Sequence, residues 1–378
     1  MDSGTAGSSD RLSWSDLPSL CASDGSCITI TLPAHHRGTG ASPYSTNLKS
    51  AVRLAERLLV RNDMPEDREV LLAPLRELAK ELEKSGSGPD RAIFRSRQMF
   101  RQFYLPGPAP LGIFVGTCFH VLPLIGQLCF ERQFYILELS QEHLHLLHYS
   151  DGECKQVPLP DELPRDARAA GEFTAPDHML RDAAPAGHSA DMRSAVVFGT
   201  STEREKAHER LHEFFRLVDR GLSKVLRQQR LLLSGVDYEI AIYRQETTYP
   251  FLMEGYIEGD LHDLPLTEIA RRAEKAARSQ ARVQAERQLR ILEEMPRTER
   301  VSFDIHRILK AAEEGRIAKL ILTEQAERGE TTQQLECDSA QALLNTVAVL
   351  SIRHGAEIFV LPASTVARSS PVAAMFRY

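Results

Sequence analysis

Three groups of side chains in this sequence have types and spacings that suit chemistry. The first is histidine: an adjacent pair, His35-His36, and the trio His143, His145 and His148. Imidazole binds borderline metals and moves protons near neutral pH. Adjacent residues do not readily aim two rings at one ion. If the trio lies on a regular strand, His143 and His145 share a face and His148 points to the other. The expectation is therefore solvated strand histidines, with no bound metal and no cofactor. The second group is acidic. Glu138 and Glu239 are the carboxylates placed on expected strands, where a metal-dependent nuclease would need several. The third is basic. Arg204, Lys206, His208 and Arg210 crowd the first turns of an expected helix. Cationic charge there opposes the helix macrodipole and suits an anionic partner such as nucleic-acid phosphate. The six cysteines (Cys21, Cys27, Cys118, Cys129, Cys154, Cys337) include no C-x-x-C pair. That argues against a zinc ribbon or a disulfide framework and fits a reducing, cytoplasmic setting.

Composition narrows the function classes. The 378 residues suffice for two or three domains, and 42% hydrophobic with 26% charged residues is ordinary globular usage. A net charge of -6 supplies no global field toward nucleic acid, so any RNA contact must be local. Phe103 to Phe130 contains no Lys, Arg, Asp or Glu, but its prolines and glycines suit two strands, Leu111–Val115 and Phe119–Leu124, better than a spanning helix. Met1 to Asp16 is small and polar, unlike a signal peptide.

The elements that must position these groups follow from periodicity. Residues 1–24 are expected as a disordered leader. Cys27–Leu32 alternates as a strand. Helices are expected over about Ser45 to Leu59 and Asp67 to Glu83, each with an apolar stripe. Phe134 to Pro160 is expected as a three-stranded antiparallel meander whose second turn is Asp151-Gly152. A long Ala/Pro/Gly-rich loop covers 161–194, followed by a short strand, Ala195–Phe198. Next come a helix from Glu203 to about Arg230 and strands Leu231–Leu233 and Ile240–Ile242. A charged helix runs from Leu266 to about Met295; Thr267 to Arg300 holds nine Lys or Arg against six Asp or Glu, the usual balance of a solvated face. The chain ends with helix Phe303–Glu314, strand Ile317–Thr323, helix Ala340–Arg353 and strand Glu357–Leu361. The class is α/β with three domains: 25–130, 131–264 and 265–378.

The order of these pieces resembles a known family. Phe134-Tyr-Ile-Leu-Glu-Leu-Ser140 opens the middle domain, and Phe214-Phe215-Arg-Leu-Val-Asp219 follows its loop. Leu232-Leu-Ser-Gly-Val236, Tyr249-Pro250 and the closing Ala373-Ala-Met-Phe-Arg-Tyr378 complete the pattern. It is similar to the bacterial archaeo-eukaryotic release factor families, family 3 or a near relative, and through them to the class 1 release factors and Pelota of archaea and eukaryotes. The resemblance implies a ribonuclease-H-like middle domain, an L7Ae-like last domain and the ribosome, through rRNA or tRNA, as partner. It leaves open a GTPase or ATPase partner protein and implies no membrane.

The release factors carry Gly-Gly-Gln in the loop after the meander. Residues 161–194 hold no Gly-Gly and no Gln. The loop-tip candidates are Gly187 and His188, and no catalytic residue carries over. The expected function is a release-factor-like ribosome-associated protein in ribosome rescue or translation stress, without peptidyl-tRNA hydrolysis, and Arg204, Lys206 and Arg210 are the expected RNA contacts. The alternatives are a peptidyl-tRNA hydrolase or nuclease using the middle domain, and a protein-interaction module with no ribosomal role.

Overall fold

The computed structural model describes residues 10–23, 25–34, 44–63, 68–85, 88–161, 163–167, 199–295, 300–323, 339–362 and 370–378. The chain begins with β1 (Asp10–Arg11), α1 (Leu17–Cys21), β2 (Cys27–Leu32), α2 (Tyr44–Arg61) and α3 (Arg68–Ser85). It continues with β3 (Arg91–Arg95), β4 (Phe100–Tyr104), β5 (Gly112–Gly116) and α4 (Leu122–Leu128). The meander is β6 (Gln133–Leu139), β7 (Leu144–Ser150) and β8 (Glu153–Val157). Then follow α5 (Gly199–Leu226), β9 (Leu231–Gly235), α6 (Asp237–Glu246), β10 (Leu252–Glu258) and α7 (Leu266–Glu294). The last elements are β11 (Val301–Ser302), α8 (Ile305–Glu313), β12 (Ile317–Thr323), α9 (Ser339–Arg353), β13 (Glu357–Leu361) and β14 (Val372–Phe376). The fold is mixed α/β, and the described strands form three sheets.

The chain divides into two compact units, 131–280 and 1–130 together with 281–378. In the first, the sheet order is β10-β9-β6-β7-β8. Strands β6, β9 and β10 run parallel, and β7 and β8 fold back antiparallel. Every residue of β9 is buried, as expected of a strand covered on both faces. The β7–β8 turn places Asp151 at φ 50° and Gly152 at φ 92°, the left-handed pair that a two-residue hairpin requires. Helix α5 buries Leu211, Phe214, Phe215, Val218 and Leu222, spaced by three and four residues along one face, against this sheet.

The second unit holds two sheets, β1-β4-β3-β2-β5 and β11-β14-β12-β13. Their residues share one core: Phe94, Phe119, Leu124 and Ile125 cluster with Ile308, Leu320, Val347 and Ala348. Asn345 fastens that core. It is fully buried; its Oδ1 accepts the Val121 and Leu122 amides at 2.9 and 3.1 Å, and its Nδ2 donates to the Phe119 carbonyl at 2.9 Å. It thereby satisfies the orphan donors at the start of α4. Asp304 does the same for α8, accepting from the amides of His306 and Arg307.

Three expectations are corrected. Phe119–Leu124, expected as a strand, is not one: it leads into the helix Leu122–Leu128, with Pro123 in the first turn, where proline loses no hydrogen bond. Ile240–Ile242 lies in helix α6, whose first turn carries Asp237 and Glu239; the apolar alternation was too short to decide, and acids at a helix N-terminus favour the helix. Residues 10–21 are not a loose leader: Leu12, Leu17, Leu20 and Cys21 are buried in the shared core, and the Arg353 guanidinium donates to the Cys21 carbonyl at 2.6 Å. Among the described residues no helix is long and apolar enough to cross a membrane.

Candidate functional site

Because β6 and β9 are parallel, their carboxyl ends meet at one edge of the sheet, the edge at which open α/β sheets bind ligands. Gly235 ends β9 at φ 152°, and a Cβ there would lie 2.7 Å from the Leu139 carbonyl oxygen. Only glycine lets the two strand ends approach this closely. Over this edge lies a cleft of about 510 Å³, lined by Leu139, Gln141, Arg210, Tyr238, Glu239 and Asp260 among others. Glu239 is buried in its wall. Its Oε1 accepts from the Gln141 amide at 3.2 Å and from the Tyr238 hydroxyl at 3.0 Å, and Gln141 Nε2 donates to that hydroxyl at 2.6 Å. Burial pushes the Glu239 carboxyl above the usual carboxylate range.

Beside the cleft the hairpin β6–β7 and the turn after β10 bring together five polar side chains. Glu138, on β6, is 2% exposed. Its Oε1 accepts the Leu261 amide at 2.6 Å, and its Oε2 lies 2.9 Å from Nδ1 of His145. The rings of His143, His145 and His262 form a triangle with centroids 4.9 to 5.2 Å apart. Nε2 of His143 is sealed from solvent and makes no hydrogen bond, although it lies 3.4 Å from Asp260 Oδ1 and 3.6 Å from Glu138 Oε1.

The shared face of His143 and His145 is as the alternation indicated, and His148 is on the other side, tilted against Tyr135 at 5.0 Å. His143 and His145, expected as solvated strand histidines, are partly exposed, and both stand beside the buried Glu138. Asp260 and His262 arrive from more than a hundred residues away, and Glu138 stands opposite His145 in the β6–β7 register. No spacing in the sequence links Asp260-Leu-His262 to the meander, so only the fold could show it.

The sequence holds a second histidine pattern. His208-Glu209-Arg210-Leu211-His212 reads H-E-x-x-H on helix α5, which puts both rings on one side. The two Nε2 atoms are 3.1 Å apart, and His212 Nδ1 is 2.6 Å from Glu246 Oε1. With Nδ1–H of His212 given to Glu246, its Nε2 accepts from Nε2–H of His208, so the pair is a closed hydrogen-bonded chain. No third ligand faces it among the described residues.

Of the residues singled out in the sequence, Arg210 is exposed and lines the cleft. Arg204 and Lys206 lie on α5, six and four residues before it, and their side chains are outside the described residues, as are Gly187, His188, His35, His36 and the strand expected at 195–198. Among the described residues, Cys21, Cys27, Cys118, Cys129 and Cys154 form no disulfide with one another.

The segment that carries both the cleft and the histidine triangle is similar to a known family. Residues 133–316, just under half of the chain, match the model of bacterial archaeo-eukaryotic release factor family 3, so the family resemblance read from the sequence holds. Similar solved structures include archaeal translation termination factor aRF1, at 12% identity over 97% of this chain and 99% of that one, with a TM-score of 0.23. Archaeoglobus fulgidus Pelota matches at 11% identity over 76% and 79%, TM-score 0.32. A structure of ribosome-bound archaeal Pelota and ABCE1 matches at 10% over 98% and 95%, TM-score 0.36. Comparison with curated proteins finds no match.

Proposed function

We propose that this chain is a release-factor-like, ribosome-associated protein that acts in ribosome rescue or translation stress without hydrolysing peptidyl-tRNA. The observation that carries the reading is the family match over residues 133–316. The order β10-β9-β6-β7-β8, parallel on one side and a meander on the other, supports a ribonuclease-H-like middle domain at 131–264. The four-stranded sheet with α8 and α9 supports an L7Ae-like domain at 265–378. The lack of Gly-Gly and Gln across 161–194 supports a factor that binds without releasing peptide. Arg204, Lys206 and Arg210 are the proposed contacts to rRNA or tRNA phosphate, with Arg210 standing at the cleft rim. A GTPase or ATPase partner belongs to the same reading.

The test is co-sedimentation of the full chain with 70S ribosomes and 50S subunits across a salt series. Binding should fall as salt rises, and replacing Arg204, Lys206 and Arg210 by Ala should weaken it and flatten the salt slope by about one per lost phosphate contact. No ribosome binding at low salt would overturn the reading. The buried Glu239 at the cleft favours a second reading, a hydrolase. Release of a labelled formyl-methionine well above background, lost in Glu239→Gln, would establish that reading instead.

A further inference from the structure

We propose that Glu138, His143, His145, Asp260 and His262 form a binding site for one divalent transition-metal cation, Zn²⁺ being the best match. The three imidazoles and the Asp260 carboxylate are the ligands, and Glu138 orients His145. The site does not depend on the ribosomal reading.

Four observations carry it. One ligand atom from each of His143, His145 and His262 lies within 4.8 Å of the others, and so do those of Glu138, His143 and Asp260. Ligands at about 2.0–2.1 Å around a tetrahedral Zn²⁺ sit about 3.3 Å apart, so within each trio side-chain rotation has to draw the ligand atoms in by about 1.5 Å or less, and His143, common to both, joins them. Next, His143 Nε2 is sealed from water with no hydrogen bond, although two carboxylates lie within 3.6 Å. An orphaned buried nitrogen is costly, and giving its lone pair to a cation removes that cost. Third, Glu138 holds His145 through Nδ1 at 2.9 Å and is itself anchored by the Leu261 amide at 2.6 Å. That leaves Nε2 of His145 as its free donor, in the carboxylate–histidine–metal arrangement that fixes tautomer and ring orientation. Finally, three neutral imidazoles with two carboxylates carry net negative charge, and a nitrogen-rich set selects zinc-like ions over Mg²⁺ or Ca²⁺. The His208–His212 pair is the internal contrast: its ring nitrogens already satisfy one another and Glu246.

The test uses the full chain stripped with EDTA and titrated with Zn²⁺ against a competing chelator, with Co²⁺ absorption as the reporter of geometry. The expected result is one Zn²⁺ per chain and the intense visible bands of tetrahedral Co²⁺. His143→Ala combined with His262→Ala should abolish binding. Glu138→Gln should weaken it by about 10–100-fold, the usual cost of losing an orienting partner. His208→Ala with His212→Ala should leave it unchanged. Since His262 is exposed, His262→Ala alone decides the matter if the double variant does not fold: Zn²⁺ should raise the Tm of the native chain and not that of this variant. Three results would overturn the proposal: no stoichiometric Zn²⁺, binding indifferent to His262, or binding lost with His208 and His212 instead.

Discussion

Asp219 and Glu138 are both buried carboxylates of the 131–280 unit, 4% and 2% exposed, and they are built into it differently. Asp219 accepts from the Tyr243 hydroxyl at 3.3 Å, the Thr247 hydroxyl at 2.5 Å, and the Thr248 amide and hydroxyl at 3.0 and 3.1 Å. These four donors are neutral, and all come from the end of α6 and the residues after it. Glu138 accepts from one amide, faces His145, and has the unpartnered His143 nitrogen and Asp260 beside it. A buried charge whose lone pairs are filled by fixed neutral donors is scaffold. One that shares its surroundings with imidazoles and a second carboxylate has the makings of a site.

Asp219→Ala gives the largest expected effect. It strands four donors in the interior, for a loss on the order of 3 kcal/mol or more in urea unfolding. Asp219→Asn keeps the shape but turns an amide NH₂ toward donors, and should cost about 1–3 kcal/mol. Losses well under 1 kcal/mol from both variants would erase the contrast with Glu138. Gly235→Ala comes next: at φ 152° and against the Leu139 carbonyl, an added methyl should cost about 1–3 kcal/mol by the same measurement and should widen the cleft edge. Wild-type stability in that variant would show that the strand ends are not held so close. Glu138→Gln should cost less than about 1 kcal/mol, because the amide oxygen still accepts from Leu261 and His145 can change tautomer. A loss as large as that of Asp219→Asn would make Glu138 scaffold too.

The sequence showed the two regions unequally. Asp219 stands in the Phe214-Phe215-Arg-Leu-Val-Asp219 run that marked the family, and the helical spacing of Phe214, Phe215, Val218 and Leu222 made its helix plain. Strands β6, β7, β12 and β13 were equally legible from alternation or β-branched runs. Strands β3 and β4 were not read from the sequence: Arg91, Arg95 and Arg101 interrupt their apolar residues, and the Arg91 guanidinium is accommodated by stacking over the Tyr44 and Tyr104 rings. Ile240–Ile242 misled because two isoleucines one residue apart fit a strand as well as the turn of a helix. At the site, Glu138, His143 and His145 were visible as residues, but their chemistry depends on Asp260 and His262. Those two come from a turn whose place is set by the pairing of β10 with β9, a long-range fact that local spacing does not encode.

The smallest expected effect concerns the third buried carboxylate, Glu239, which lies between the two extremes: two donors hold its Oε1, and it faces the cleft. Burial raises its proton affinity in the folded state. A raised carboxyl favours folding below the unfolded value, and that contribution is lost as pH rises through the folded one. At neutral pH the fold therefore carries the cost of a buried charge. Glu239→Gln removes the charge and keeps the amide oxygen as acceptor for Gln141 and Tyr238. The variant should be more stable than the native chain at neutral pH, and the gap should close as the pH falls through the raised folded value of the native carboxyl and then through the ordinary carboxylate range. Urea midpoints measured across that range check it. A gap that stays constant with pH would mean that the two donors, not the charge, set the contribution of Glu239. It would then belong with Asp219 as scaffold, and the cleft would lose the carboxyl that burial makes readier to hold a proton.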